Sequence, residues 1–182
     1  ITNGFNLIDG VDGLAAGLGV IAASCFGFVA VMMEQNDLAF ISFSLAGALL
    51  AFLRYNFNPA KIFMGDTGSL VVGMILSVLA INIIKFGLIT EDFKLPKKGP
   101  LMAIVFLAIP LFDSLRVFIA RIMKGNHPLY PGRGHIHHAL LDLGFGHKRT
   151  ALILYFISAL LIFGSYFCLL YTSPSPRDLS TS

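Results

Sequence analysis

Five stretches of this sequence carry too few charges to live in water, and they dictate what the chain can become. Residues 14–33 and 150–171 are runs of 20 and 22 residues with no charge at all. As helices rising about 1.5 Å per residue, each covers the roughly 30 Å hydrocarbon core of a bilayer. Residues 69–89 form a third such stretch, with Lys85 one turn from its end, where a lysine can snorkel to the interface. Residues 100–120 form a fourth, carrying Asp113 and Arg116 three positions apart, hence on one helix face and able to pair. Residues 38–53 are uncharged but only 16 long, so this segment is expected to cross with help from Tyr55 or a thinned bilayer. The expected fold is therefore all-α, a polytopic membrane helix bundle with five spans. Composition agrees: 56 % of the 182 residues are hydrophobic and 13 % charged, against about a quarter charged in a soluble domain. A mean hydropathy of +0.80 excludes a disordered chain and, with basic residues scattered between apolar blocks, a nucleic-acid binder. Cys25 and Cys168 lie in apolar runs and build neither a disulfide framework nor a metal-spaced pair.

Five spans place the intervening segments alternately on two sides, and parity puts residues 1–13, 54–68 and 121–149 together. That side holds Arg54, Lys61, Arg121, Lys124, Arg133, Lys148 and Arg149, with Arg116 nearby. The other holds Lys94, Lys97, Lys98 and Arg177, with Lys85 nearby. The positive-inside rule makes the first side cytoplasmic. The sequence opens on Ile1 and a polar Thr2-Asn3-Gly4, and is expected to be the interior of a longer protein. Residues 1–171 are expected to form the membrane domain. The Ser/Thr/Pro-rich residues 172–182 are expected to be a disordered tail and need not be native to it.

The polar segments hold three clusters. In the first, Asn6, Asp9 and Asp12 recur every three residues, so a helical turn would keep them on one side as hard oxygen donors for Mg²⁺ or a polar ligand. The same residues also suit a solvated, Gly-punctuated turn before a span. Their Asp-Gly-x-Asp-Gly pattern lacks the closing Glu of a calcium loop. In the second, Asn56 to Ser69, Asp66 or Thr67 could simply cap the following helix. Alternatively Gly65 and Gly68 admit a phosphate, Asp66 takes a metal and Phe63 offers an aromatic face to a base. The third, residues 126–138, concentrates Arg133 with four histidines, His127, His135, His137 and His138. It lacks the Cys or carboxylates of a zinc set and suits either a ligand-free surface loop or a pyrophosphate site.

In order along the chain, Asn-Gly-Phe-Asn-Leu-Ile-Asp-Gly-Val-Asp-Gly-Leu-Ala, Phe-Met-Gly-Asp-Thr-Gly-Ser-Leu, and Pro-Leu-Phe-Asp113 followed by Arg121, Gly125 and His-Ile-His-His carry a resemblance. They resemble the polyprenyl-phosphate N-acetylhexosamine-1-phosphate transferase superfamily, glycosyltransferase family 4, over essentially residues 1–150. Arg133-Gly-His-Ile-His-His is similar to the branch that makes undecaprenyl-pyrophosphoryl-GlcNAc for teichoic acid, O-antigen or exopolysaccharide. The phospho-N-acetylmuramoyl-pentapeptide branch, the alternative within the family, usually has three consecutive histidines where Ile136 intervenes here. The resemblance implies a C-terminal piece of a roughly ten-span enzyme. It transfers a sugar phosphate from a UDP-sugar to polyprenyl phosphate, releasing UMP on the cytoplasmic face of the bacterial inner membrane, with Mg²⁺ (or Mn²⁺). It further implies that Asn6 and Asp66 hold the metal, that Asp12 meets the uracil edge and Phe63 stacks on it, and that Asn56 binds substrate. Arg133, His135, His137 and His138 grip pyrophosphate and sugar, Asp9 lines the same pocket, and an upstream Asp-Asp loop helps to activate the lipid phosphate. Partners expected are the two substrates, the bilayer and a second copy in a homodimer. Outside this class stands a transporter with Asp113, Arg116 and Lys85 along an ion path.

Overall fold

The computed structural model describes residues 1–89, 99–123, 125 and 134–171, and all the regular structure among them is helical. Eight helices follow in order: α1 (Thr2–Leu7), α2 (Leu14–Met32), α3 (Asn36–Asn56), α4 (Gly65–Ile89), α5 (Gly99–Phe106), α6 (Ala108–Met123), α7 (Ile136–Asp142) and α8 (His147–Tyr171). Four of them, α2, α3, α4 and α8, are long and apolar enough to cross a bilayer, and the bent pair α5–α6 brings the number to five when counted as one span. The expectation for residues 172–182 lies outside the described residues.

Two spans differ from the lengths read in the sequence. The segment that looked 16 residues long is a 21-residue helix, α3, with Asp37 in its first turn and Arg54 in its last. Acid at the N-terminus and base at the C-terminus both complement the helix dipole, so the charges extend the span without needing a thin bilayer. The stretch 100–120, expected to be one helix, is instead bent by 77° between α5 and α6. Pro110 explains the break: it has no N–H for the Phe106 carbonyl, and its ring collides with that same carbonyl. The pair still travels from one end of the bundle to the other. Gly99 packs against Ile83, Ile84 and Gly87 near the end of α4, whereas the Pro110 carbonyl and Ser114 lie against Gly4 of α1.

At the centre stands α2, whose apolar window is 67 % buried against 22 % for α3 and for α8. Lipid tails are as apolar as leucine, so membrane helices associate by close packing rather than by hiding from water. Small residues on α2 (Ala15, Ala16, Ala22, Ala23 and Ala30) let its neighbours approach. Gly17 is the tightest case: a Cβ there would stand 2.1 Å from the ring carbon and hydroxyl of Tyr155 on α8. Its absence allows the Tyr155 hydroxyl to donate to the Gly13 carbonyl at the entrance of α2. Phe26 packs edge-to-face on Phe106, with ring centroids 5.2 Å apart, and Phe5, Ile8, Leu76, Leu79 and Leu154 complete the same core.

Candidate functional site

The turn between α1 and α2 is where the polar segments meet, and backbone geometry places it there. Gly13 adopts φ 78°, a left-handed conformation open to glycine, and turns the chain from α1 into α2. Its N–H donates to Asn56 Oδ1 at 3.1 Å, and Asn56 Nδ2 donates to the Ile62 carbonyl at 2.9 Å. Asn56 is buried, with both ends of its amide given to backbone, so it ties the loop after α3 to this turn. Asp12 makes the second tie. Its Oδ2 accepts from Asn58 Nδ2 at 2.9 Å and from the Ala60 N–H at 3.2 Å, and Oδ1 lies 3.3 Å from His147 Nδ1 at the start of α8. Burial opposes the Asp12 charge, but these donors outweigh it and hold its pKa below the usual carboxylate value.

The loop thus fastened delivers Asp66, in the first turn of α4, to α1. Asn6 Nδ2 donates to Asp66 Oδ1 at 3.1 Å and to Ser69 Oγ at 2.8 Å. Asp9 completes the acidic corner: burial and the neighbouring Asp66 charge push its pKa up to about 6, against a backbone hydrogen bond from Gly65. Asn6 keeps its carbonyl oxygen free of these bonds, so Asp66, Asp9 and Asn6 Oδ1 are hard oxygen donors in one place. Among the described residues no group of three or more His, Cys, Asp or Glu is arranged to hold a metal. Mg²⁺ does not require one, since it is commonly held by one or two carboxylates with substrate phosphates and waters filling the octahedron. The donor set fits that ion. Phe63 stands on the same loop with 77 % of its surface exposed, an aromatic face without cover.

The histidines approach from the other flank. His135 and His137 are both buried, and their rings lie parallel with centroids 5.7 Å apart. His138 stands half-buried, 4.3 Å from His137 by ring centroid. Gly10 makes room for them, because a Cβ there would meet His137 Nε2 at 2.8 Å. The His137 pKa is driven down to about 4, by burial first and then by the charges of His138 and His135, so this ring is neutral near pH 7. Among the described residues, neither nitrogen of His137 and not Nε2 of His135 has a hydrogen-bond partner, although all three are buried. Buried polar atoms usually have such partners, which leaves these three nitrogens open to a ligand.

Asp113 and Arg116, read from the sequence as a span ion pair, belong to this flank. Asp113 accepts from His135 Nδ1 and from the Ile136 N–H, each at 2.8 Å, and from Arg116 at 3.3 Å. Arg116 also donates to the Gly134 carbonyl. The sequence marks Asp113 as a carboxylate in an apolar run, paired with Arg116 and set in a family motif, but not its link to His135, which lies 22 positions away. Asn58 and Ser69 fall within the second polar cluster without a role of their own there, and His147 and Tyr155 had no signal at all. Arg133 lies outside the described residues. Lys85, exposed near the far end of α4, stands apart from this assembly.

Fold and site together define a multi-pass membrane protein with an acidic corner and a histidine pocket gathered at one end of its bundle. Residues 1–84 match the family described as Glycosyl transferase family 4. The chain is 39 % identical over 157 residues to the probable undecaprenyl-phosphate N-acetylglucosaminyl 1-phosphate transferase of Bacillus subtilis (strain 168), covering 86 % of this chain and 42 % of that protein. It is 38 % identical over 180 residues to the decaprenyl-phosphate N-acetylglucosaminephosphotransferase of Mycolicibacterium smegmatis, covering 91 % and 44 %. With the undecaprenyl-phosphate alpha-N-acetylglucosaminyl 1-phosphate transferase of Escherichia coli (strain K12) it shares 32 % identity over 163 residues, covering 87 % and 42 %. The chain belongs to glycosyl transferase family 4, and it spans less than half the length of these relatives.

Proposed function

We propose that this chain forms the nucleotide-sugar and metal side of an enzyme that transfers N-acetylglucosamine 1-phosphate, or a closely related sugar phosphate, from a UDP-sugar to a polyprenyl phosphate, releasing UMP. The observation that carries the reading is the convergence of three segments distant in sequence, at residues 6–12, 56–66 and 135–138, on one end of an apolar bundle. Asp66 and Asn6 Oδ1, with Asp9 beside them, would hold Mg²⁺ or Mn²⁺. The ion supplies charge neutralisation to the pyrophosphate when bound. Phosphoryl transfer leaves a protein little covalent work, so the residues here position and stabilise charge. Phe63 offers its open face to the uracil, while Asp12 and Asn56 hold the loop that presents it. The unpartnered nitrogens of His135 and His137 meet phosphate or sugar oxygens, together with Arg133. An apolar cavity of about 150 Å³ between α6, α7 and α8 has Asp113 and Arg116 as its polar wall and suits the lipid beside its phosphate. The active face is cytoplasmic in the bacterial inner membrane, by the excess of Lys and Arg around it.

The test is UMP release from UDP-GlcNAc with undecaprenyl phosphate and Mg²⁺, using this chain co-expressed with the N-terminal half of a close relative. Asp66→Asn is expected to lower turnover on the order of 10²-fold or more while leaving membrane insertion unchanged, as for other contacts that act in the transition state. Wild-type turnover by Asp66→Asn at saturating Mg²⁺ would refute the metal assignment.

A further inference from the structure

Asp113 sits where no apolar helix face needs a charge, 4 % exposed in the first turns of α6. Burying a carboxylate is costly unless donors replace the lost water. Three donors do so here, and they come from two parts of the chain. Oδ1 accepts from the Ile136 N–H and from Arg116, and Oδ2 accepts from His135 Nδ1 at 2.8 Å. Arg116 in turn holds the Gly134 carbonyl, so α6 grips the backbone on both sides of His135. An ionised carboxylate can only accept, which means that the proton at this contact belongs to His135 Nδ1. The other ring nitrogen, Nε2, is buried and has no partner among the described residues.

We infer that Asp113 is a positioning residue for the transfer reaction: it fixes His135 with Nδ1 protonated and reserves Nε2 for a phosphate oxygen of the substrate. The role rests on the transferase reading above but names a residue and an atom which that reading leaves open. Protonated at both nitrogens, the ring donates Nδ1–H to Asp113 and Nε2–H to the anion, and the carboxylate balances its charge. The charged and titratable neighbours of His135 among the described residues are Asp113 and Arg116 from α6 and His137 and His138 from α7. Among these described neighbours Asp113 is the one anion, the group that can balance a charge on the His135 ring. The bend at Pro110 belongs to the same device, because a straight continuation of α5 would carry Asp113 along the span, away from α7.

Asp113→Asn is close to isosteric and discriminates sharply. Its single carbonyl oxygen is claimed by the Ile136 N–H and Arg116, which turns the amide NH₂ toward His135 and requires a bare Nδ1. Nitrogen-15 histidine NMR of the chain in lipid nanodiscs, with His135→Gln to assign the signal, should show Nδ1 protonated in the wild type. The same signal in Asp113→Asn should move to the Nε2–H tautomer. In the UMP-release assay Asp113→Asn should lower kcat by about 10- to 100-fold, the usual effect of losing a partner that orients a functional histidine. Asp113→Glu should recover part of that loss. In a His135→Gln background, Asp113→Asn should cost less than about threefold more, because the two residues act as one unit. An unchanged His135 signal in Asp113→Asn, or a full additive loss in the double variant, would overturn the inference. If the reassembled wild type releases no UMP, the transferase reading falls, and the NMR comparison still decides what Asp113 does to His135.

Discussion

Replacing Asp12 by Asn separates two roles that the sequence alone leaves merged, contact with the nucleotide and anchoring of the loop that carries Phe63. In the structure the Asp12 carboxylate accepts from Asn58 and from the Ala60 N–H, and His147 Nδ1 lies 3.3 Å from Oδ1 while accepting from the Asp12 N–H. An Asn side chain keeps one acceptor oxygen and turns an NH₂ toward donors it cannot satisfy. Hydrogen bonds to a charged group contribute about 1.5–3 kcal/mol, and one neutral bond would remain at about 1 kcal/mol. The bonds from Asn58 and the Ala60 N–H sum to about 3–6 kcal/mol, so with one neutral bond kept the loop should lose on the order of 2–5 kcal/mol of local stability, which accelerates its opening by roughly 30-fold or more. Hydrogen exchange read by mass spectrometry should show this acceleration across residues 58–64 without substrate, and no change in α3 or α4. UDP-sugar KM should rise in parallel, because Phe63 loses its platform. Unchanged exchange at Ala60 with a raised KM would refute the anchoring role and return Asp12 to direct contact with the base.

Gly17→Ala puts a methyl 2.1 Å from the Tyr155 ring and hydroxyl, so α8 must shift away from α2. The cost expected from overpacking is about 1–3 kcal/mol, read as a lower unfolding midpoint in detergent, whereas Tyr155→Phe should cost nearer 1 kcal/mol. His137 has its pKa lowered from 6.5 to about 4, so the unfolded chain takes up a proton that the folded chain refuses. Stability from this group is complete above pH 6.5 and is lost as pH falls toward 4; melting curves across that window should be flatter for His137→Gln. For sidedness, single cysteines at Asn3, Lys61 and Gly134, in a background lacking Cys25 and Cys168, should resist an impermeant thiol reagent in intact cells. One at Asp37 should react, and labelling at Lys61 alone among the first three would break the common face.

Hydropathy by itself determined that this chain lies in a membrane and where four of its spans run, because a lipid solvent leaves a helix of apolar residues no other arrangement. The three polar clusters were equally legible, as were the pairing of Asp113 with Arg116 and the family motifs, since all of these are local in sequence. Tertiary structure decided which clustered residues face a ligand and which hold the frame. Asn56 and Asp12 look like Asn6 and Asp66 in the sequence, yet the first two bind the loop after α3 to Gly13, Asn58 and Ala60, and the latter two meet each other at the acidic corner. The bend at Pro110 likewise converted a presumed straight span into the arm that brings Asp113 to His135. A hydrogen bond between residues 22 or 60 positions apart leaves no periodic trace, because its partners are chosen by helix packing. In a bilayer that packing depends on where small residues such as Gly17 let two helices touch.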